Sequence, residues 1–170
     1  MANGRSGLST GRFGSRTAGS FRWYHVPKSG SVVVVPVCEG WVDYDAHYTG
    51  GRYVRCIGMG CVGCDRLLPI YRRMVLGVWV EGKEGKWAVE LPENAGCDVA
   101  DIRAARGRIS RVPIRLTRRS SGSRTEVSAK EVGGGALAER EEVDGGELVR
   151  WLTGQRFWRG EGRCPGEGGV

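Results

Sequence analysis

The stretch HYTGGRYVRCIGMGCVGC, His47 to Cys64, holds one of the chain's two histidines and three of its six cysteines. The spacing is His, eight residues, Cys, four, Cys, two, Cys. Structural zinc takes four tetrahedral ligands from thiolate and imidazole, and a Cys-x2-Cys turn lets two sulfurs face one ion. Cys61 and Cys64 supply that turn, and Cys56 and His47 lie close enough along the chain to complete the set. The glycines of IGMGCVGC permit the tight backbone that such a knuckle needs. A site with four protein ligands has no place for a reactive water, so this zinc would be structural and its binding energy would be folding energy. Three cysteines within nine residues, flanked by glycines, are too dense for ordinary packing.

Other assignments of the same residues stay open at this level. Cys38 and His25 are spare candidates for the fourth ligand. Cys38 closes an apolar run and reads as a small buried hydrophobe, and His25, remote from the cluster, reads as solvated. The order Cys56, Cys61, Cys64, followed by Cys97 after 32 residues, also matches the spacing of plant-type ferredoxins with a two-iron two-sulfur cluster. Against that electron carrier stand the superfluous histidine, the basic chain, and the segment ENAGCDVAD, which reads as a helix start with little to shield a cluster. A zinc-stabilised protein–protein adaptor is the other alternative. No catalytic constellation is present: there is no phosphate loop ending in Lys-Ser/Thr and no HExxH, and Asp43 and Asp45 read as solvated carboxylates on a loop. The expectation is a protein that is not an enzyme.

The elements that must carry the cluster are short. A chain of 170 residues suits one domain with tails, and 29 glycines shrink the core it can build. Residues 1–20 are Gly, Ser, Arg and Thr with few apolar residues and read as a mobile basic arm. SVVVVPV and GGRYVRC are strands by β-branched density. RRMVLGVWVEGKEGKWAVELP is a hairpin around EGKEGK, stopped by Pro92. ENAGCDVADIRAARG is a short helix with Gly107 after its end, and VPIRL and RTEVSA form a second hairpin around RRSSGS. Residues 133–170 read as a Gly-rich C-terminal tail with a helix near Leu137 to Leu152. The expected fold of residues 21–132 is therefore all-β, an OB-fold-like small barrel with an inserted zinc loop, one short helix and disordered tails. No apolar run is long enough to span a membrane, and the N-terminus carries no secretory signal. The expected location is the cytoplasm, where clustered cysteines read as metal ligands rather than disulfides.

The net charge of +7 is unevenly placed, with nine basic residues against two acids between Asp101 and Lys130. That is the footprint of a polyanion binder. Binding a single strand without sequence preference needs a cationic groove and aromatic faces on which bases stack. Trp41, Tyr44, Tyr48, Tyr53 and Tyr71 supply the faces, with Trp79 and Trp87 divided between groove and core. Arg52, Arg55, Arg72, Arg73, Arg111, Arg115, Arg118 and Arg119 supply the charge. In RYVRC, strand alternation places Tyr53 and Arg55 on one face as a stacking and phosphate-binding pair.

WVDYDAHYTGGRYVRCIGMGCVGC, followed by YRRMVLGVWV and later by VPIRLTRRSSGSRTEVS, resembles the zinc-containing single-stranded DNA-binding proteins of tailed phages, of which the T-even helix-destabilising protein is the best-known member. The resemblance covers about Ser31 to Lys130, some 60 % of the chain. It implies an OB-fold with structural zinc on His47, Cys56, Cys61 and Cys64, and a protein that binds and protects single-stranded DNA during replication, recombination or repair. Replication or recombination proteins would be its further partners, and a bacterial host cytoplasm its location. Two features depart from the family. The spacing from Cys56 to Cys61 is shorter than in the T-even protein, and QRFWRGEGRCPGEGGV is not the acidic tail that recruits partners there.

Overall fold

The computed structural model describes residues 20–121, 124–134, 139–155 and 157–159. The chain is mostly β-sheet. In order it forms β1 (Arg22–Tyr24), β2 (Gly30–Pro36), β3 (Val42–Thr49), β4 (Arg52–Arg55), the one-turn α1 (Val62–Asp65), β5 (Tyr71–Val80), β6 (Trp87–Pro92), α2 (Glu93–Arg106), β7 (Ile114–Ser121), β8 (Arg124–Glu131) and α3 (Gly145–Thr153), with a 3-10 turn at Phe157–Arg159.

The centre of the sheet is β5. Its apolar run leaves both faces buried from Met74 to Val78. One edge pairs with β6; the other is shared, Tyr71–Val75 against β3 and Val78–Val80 against β2. Beyond these, β2 pairs with β7 and β7 with β8, while β1 adds in parallel to the outer edge of β6. The result is one eight-stranded sheet in the order β1-β6-β5-β2-β7-β8, with β3 and β4 branching from β5. Among the described residues no ladder joins the two ends, so the expected closed barrel does not form. The physical reason lies in β5, which takes three partners, and in β1, which extends the sheet past β6 where a barrel would have to close.

Each face of the sheet has its own core. On one, Val34, Leu76, Val78, Val89, Leu91, Ile114 and Leu116 pack against Ala95 and Val99 of α2. Helix α2 follows Pro92, which is extended and closes β6, and it ends at Gly107 in the left-handed conformation (φ 73°). Two side chains fix it to β8: Asn94 donates to the Val127 carbonyl at 2.7 Å, and the Asp98 carboxylate accepts from the Ala129 N–H at 2.9 Å. On the other face Phe21, Val37, Tyr44, Ala46, Val75 and Ala88 pack with Leu148 and Leu152 of α3. Gly77 makes this possible, since a Cβ there would lie 2.9 Å from the Phe21 ring.

Two elements differ from the sequence reading. The segment holding Asp43 and Asp45 is strand β3 rather than a loop, with both carboxylates outward and Tyr44 and Ala46 inward. Of the helix expected near Leu137–Leu152, the described residues carry α3 at Gly145–Thr153, capped by the Asp144 carboxylate, which accepts from the Gly146 N–H at 3.0 Å, and it is docked on the sheet. The basic arm falls, but for Ser20, outside the described residues. Because Leu152 is fully buried, Leu152→Ala should cost about 2–5 kcal/mol in urea unfolding. An unchanged midpoint would show that α3 contributes nothing to the domain.

Candidate functional site

Strand β3 delivers His47, and β4 leads into Cys56, whose N–H donates to the Asp45 carbonyl at 2.8 Å. The chain then turns through Gly58 and Gly60, both with positive φ, so that Cys61 and Cys64 bracket the first turn of α1. The four ligand atoms of His47, Cys56, Cys61 and Cys64 all lie within 4.8 Å of one another. Cys56 Sγ is 3.5 Å from Cys64 Sγ, and Cys64 Sγ is 3.4 Å from His47 Nε2. A tetrahedron built on metal–sulfur and metal–nitrogen bonds of biological length has edges of roughly 3.5–3.8 Å. The side chains therefore already stand where a metal ion could be held.

The histidine is oriented from behind. His47 Nδ1 lies 3.1 Å from the carbonyls of both Leu68 and Pro69, so the proton belongs on Nδ1 and the Nε2 lone pair faces the thiols, the usual outer support of a ligating imidazole. Along β3, His47 shares its side with the exposed Asp43 and Asp45, yet it is 2 % exposed. The loop after Cys56 folds back over it. Gly63 is the contact point: a Cβ there would overlap the His47 ring. This residue has a steric role that spacing alone does not reveal.

The thiols ionise unequally, and Cys64 is held protonated by its neighbours. Burial raises the Cys61 thiol, but backbone N–H groups of Cys64, Ile57 and Gly63, with the Cys56 thiol, together bring it down to about 7. Cys64 goes the other way, to about 11, because it is hydrogen-bonded to the Cys56 thiol, partly desolvated and hydrogen-bonded to Cys61. A divalent cation removes this conflict by taking all three as thiolates. Cys38 is not in the group; it is buried on the second face with its Sγ 3.3 Å from the Gly40 carbonyl. Cys97 is exposed on α2 and also stands apart, so the ferredoxin-like set of four cysteines is not assembled.

Beside this centre the sheet end forms a cleft of about 550 Å³. Five of the expected strand-binding residues line it: Tyr48, Arg52, Tyr53, Arg73 and Arg118. Tyr48 and Tyr53 are directly opposed across the β3–β4 ladder, with ring centroids 5.1 Å apart, and Tyr71 continues the row 5.6 Å from Tyr53. The Arg73 guanidinium lies 4.0 Å over the Tyr53 ring and pairs with Glu90 at 3.1 Å. Trp23, Tyr24 and His25 line the cleft as well. Trp23 and Tyr24 belong to β1 and His25 follows it; β1 is three residues long and pairs with β6 more than sixty residues away, a pairing that local sequence does not show.

The remaining expected residues are elsewhere. Tyr44 is buried with its hydroxyl on Glu90, and desolvation together with that carboxylate raises its pKa; it offers no stacking face. Trp41 packs against the α2 side with Arg103 over its ring at 5.1 Å. Arg55 shares the Tyr53 face as alternation requires, but it lies 4.4 Å over the Trp158 ring. Arg72 pairs with Asp45 and Arg111 with Glu142, while Arg115 and Arg119 are exposed on β7 outside the cleft.

No protein-family model, curated protein or solved structure matches the chain. Among the described residues no helix is long and apolar enough to cross a membrane.

His47→Ala and Gly63→Ala should each lower metal retention and the melting temperature, while Cys38→Ala and Cys97→Ala should leave metal content unchanged. Metal should also leave as the pH falls, because the bound form requires thiolates and protons compete for them. Metal analysis of the four variants and a chelator-dye titration against pH check both statements. A metal-replete His47→Ala protein would remove the imidazole from the ligand set.

Proposed function

We propose that this chain binds single-stranded DNA, largely without sequence preference, through a cleft whose β3–β4 wall is held in place by a structural zinc ion. The observation that carries the reading is the cleft's composition: edge-to-face tyrosines, the aromatic residues of β1 and three arginines, beside a cluster of one histidine and three cysteines. Unstacked bases have π-faces that sit on Tyr or Trp rings at ~1–3 kcal/mol each, and arginines meet the backbone between them. Three thiolates and one imidazole in a closed set match zinc in its structural role. The resemblance to phage strand-binding proteins points the same way and suggests work in replication, recombination or repair in a bacterial cytoplasm.

The zinc-stabilised adaptor keeps one specific observation in its favour. Met59 and Leu67 on the metal loop are 98 % and 92 % exposed, and exposed apolar residues on a rigid loop suit a protein partner.

Oligo(dT) should quench tryptophan fluorescence at low salt, since Trp23 lines the cleft, and affinity should fall with salt at a log–log slope of about −0.7 per neutralised phosphate. Tyr48→Ala should weaken binding about tenfold with little change in slope, because stacking releases few counterions. Blunt duplex should bind more weakly than the single strand. The purified protein should be colourless with one zinc per chain. Equal, weak binding to duplex and single strand that disappears on removing residues 1–20 would overturn strand binding in favour of the adaptor, and stoichiometric iron with strong visible absorbance would overturn zinc.

A further inference from the structure

We infer that Arg118 is the phosphate seat of the cleft, the position that holds one phosphodiester of the bound strand; the inference rests on the strand-binding reading above. Three other arginines of the region are already engaged. Arg73 is balanced by Glu90 and covers Tyr53, Arg72 is paired with Asp45, and Arg55 lies on Trp158.

Arg118 differs. Its Nη1 donates to the Val26 carbonyl at 3.3 Å, its Nε, like that of Arg73, is buried with no hydrogen-bond partner, and, unlike Arg73, it has no carboxylate of the described residues paired with it. A half-buried cation without a counter-ion is costly unless an anion completes it. On β7 it stands opposite Gly30 of β2, and the space a Gly30 side chain would take is open, with nothing within 4 Å. A guanidinium presents a planar fork that matches a phosphate in two parallel hydrogen bonds. The same cleft carries the exposed Tyr48 ring, so a base can stack while its phosphate meets Arg118. A volume of about 550 Å³ falls in the range that takes a small ligand or one nucleotide unit of a strand.

The test is a fluorescence titration of the full chain with oligo(dT), dTMP and inorganic phosphate at several salt concentrations, for wild type, Arg118→Met, Arg118→Lys and Arg119→Met. Met preserves the apolar stem and removes the charge; Lys preserves the charge and removes the fork. Arg118→Met should weaken oligo(dT) binding about tenfold and make the salt slope shallower by about 0.7, one phosphate's worth. Arg118→Lys should keep the slope and lose part of the affinity, and Arg119→Met should change affinity less than twofold. Wild-type binding to oligo(dT) with an indistinguishable Arg118→Met would overturn the seat and leave strand binding standing. Weakened binding with an unchanged slope and a lower melting temperature would assign Arg118 a structural role and overturn the seat as well. Should dTMP or inorganic phosphate bind as tightly as oligo(dT), the ligand is a free phosphate compound and the strand reading fails; no binding of any of the three would also sink that reading.

Discussion

Three thiols held within 4.8 Å of one imidazole nitrogen repel one another as they ionise, and a cation lets them share that space as thiolates. The geometry prepares for it at every step. Gly58 and Gly60 turn the loop, Gly63 clears the His47 ring, and two carbonyls fix the imidazole so that Nε2 points inward. The same contacts tie β3, β4 and the segment before β5 into one body. Without them β4 is a four-residue strand paired on one edge to β3, and a hairpin of that size is marginal in water.

What depends on that body is the wall of the cleft. Tyr48 lies one residue beyond His47 on β3, and strand alternation sends it to the opposite face. Tyr53 is its cross-strand partner. Ligands and stacking faces thus occupy the two sides of one short hairpin, so fixing one side fixes the other. The opposite wall comes from β1, β6 and the β7–β8 hairpin, which pack with the α2 core and not with the His/Cys cluster. Under the proposed function such a frame would favour strand binding, since preorganised faces lose less entropy on contact.

Much of this is written locally and much is not. The four ligands sit in one window and their types state their chemistry, so the cluster is legible from spacing. The two long hairpins are legible too, since apolar runs flank evident turns, and Pro92 and Gly107 bound α2 by their own backbone limits. Strand β3 is written in the alternation of Asp43 and Asp45 with Tyr44 and Ala46, and reading the carboxylates as loop residues passes over it; the burial of His47 comes from a loop that sequence does not fold. Which edges of a sheet pair is a long-range choice; strand count alone suggested closure, whereas β5 takes three partners and the sheet stays open. Arginine roles are equally non-local. Arg72, Arg73 and Arg111 are occupied by Asp45, Glu90 and Glu142, and no reading of the arginines alone shows that.

The central claim is that a metal ion on His47, Cys56, Cys61 and Cys64 holds the β3–β4 wall in place. Amide hydrogen exchange on the metal-loaded chain and on the same chain after chelation addresses it residue by residue. The expected result is loss of protection confined to β3, β4 and residues 56–70, with α2, β7 and β8 protected as before. Identical exchange in the two states, or loss spread evenly over the sheet, would contradict it.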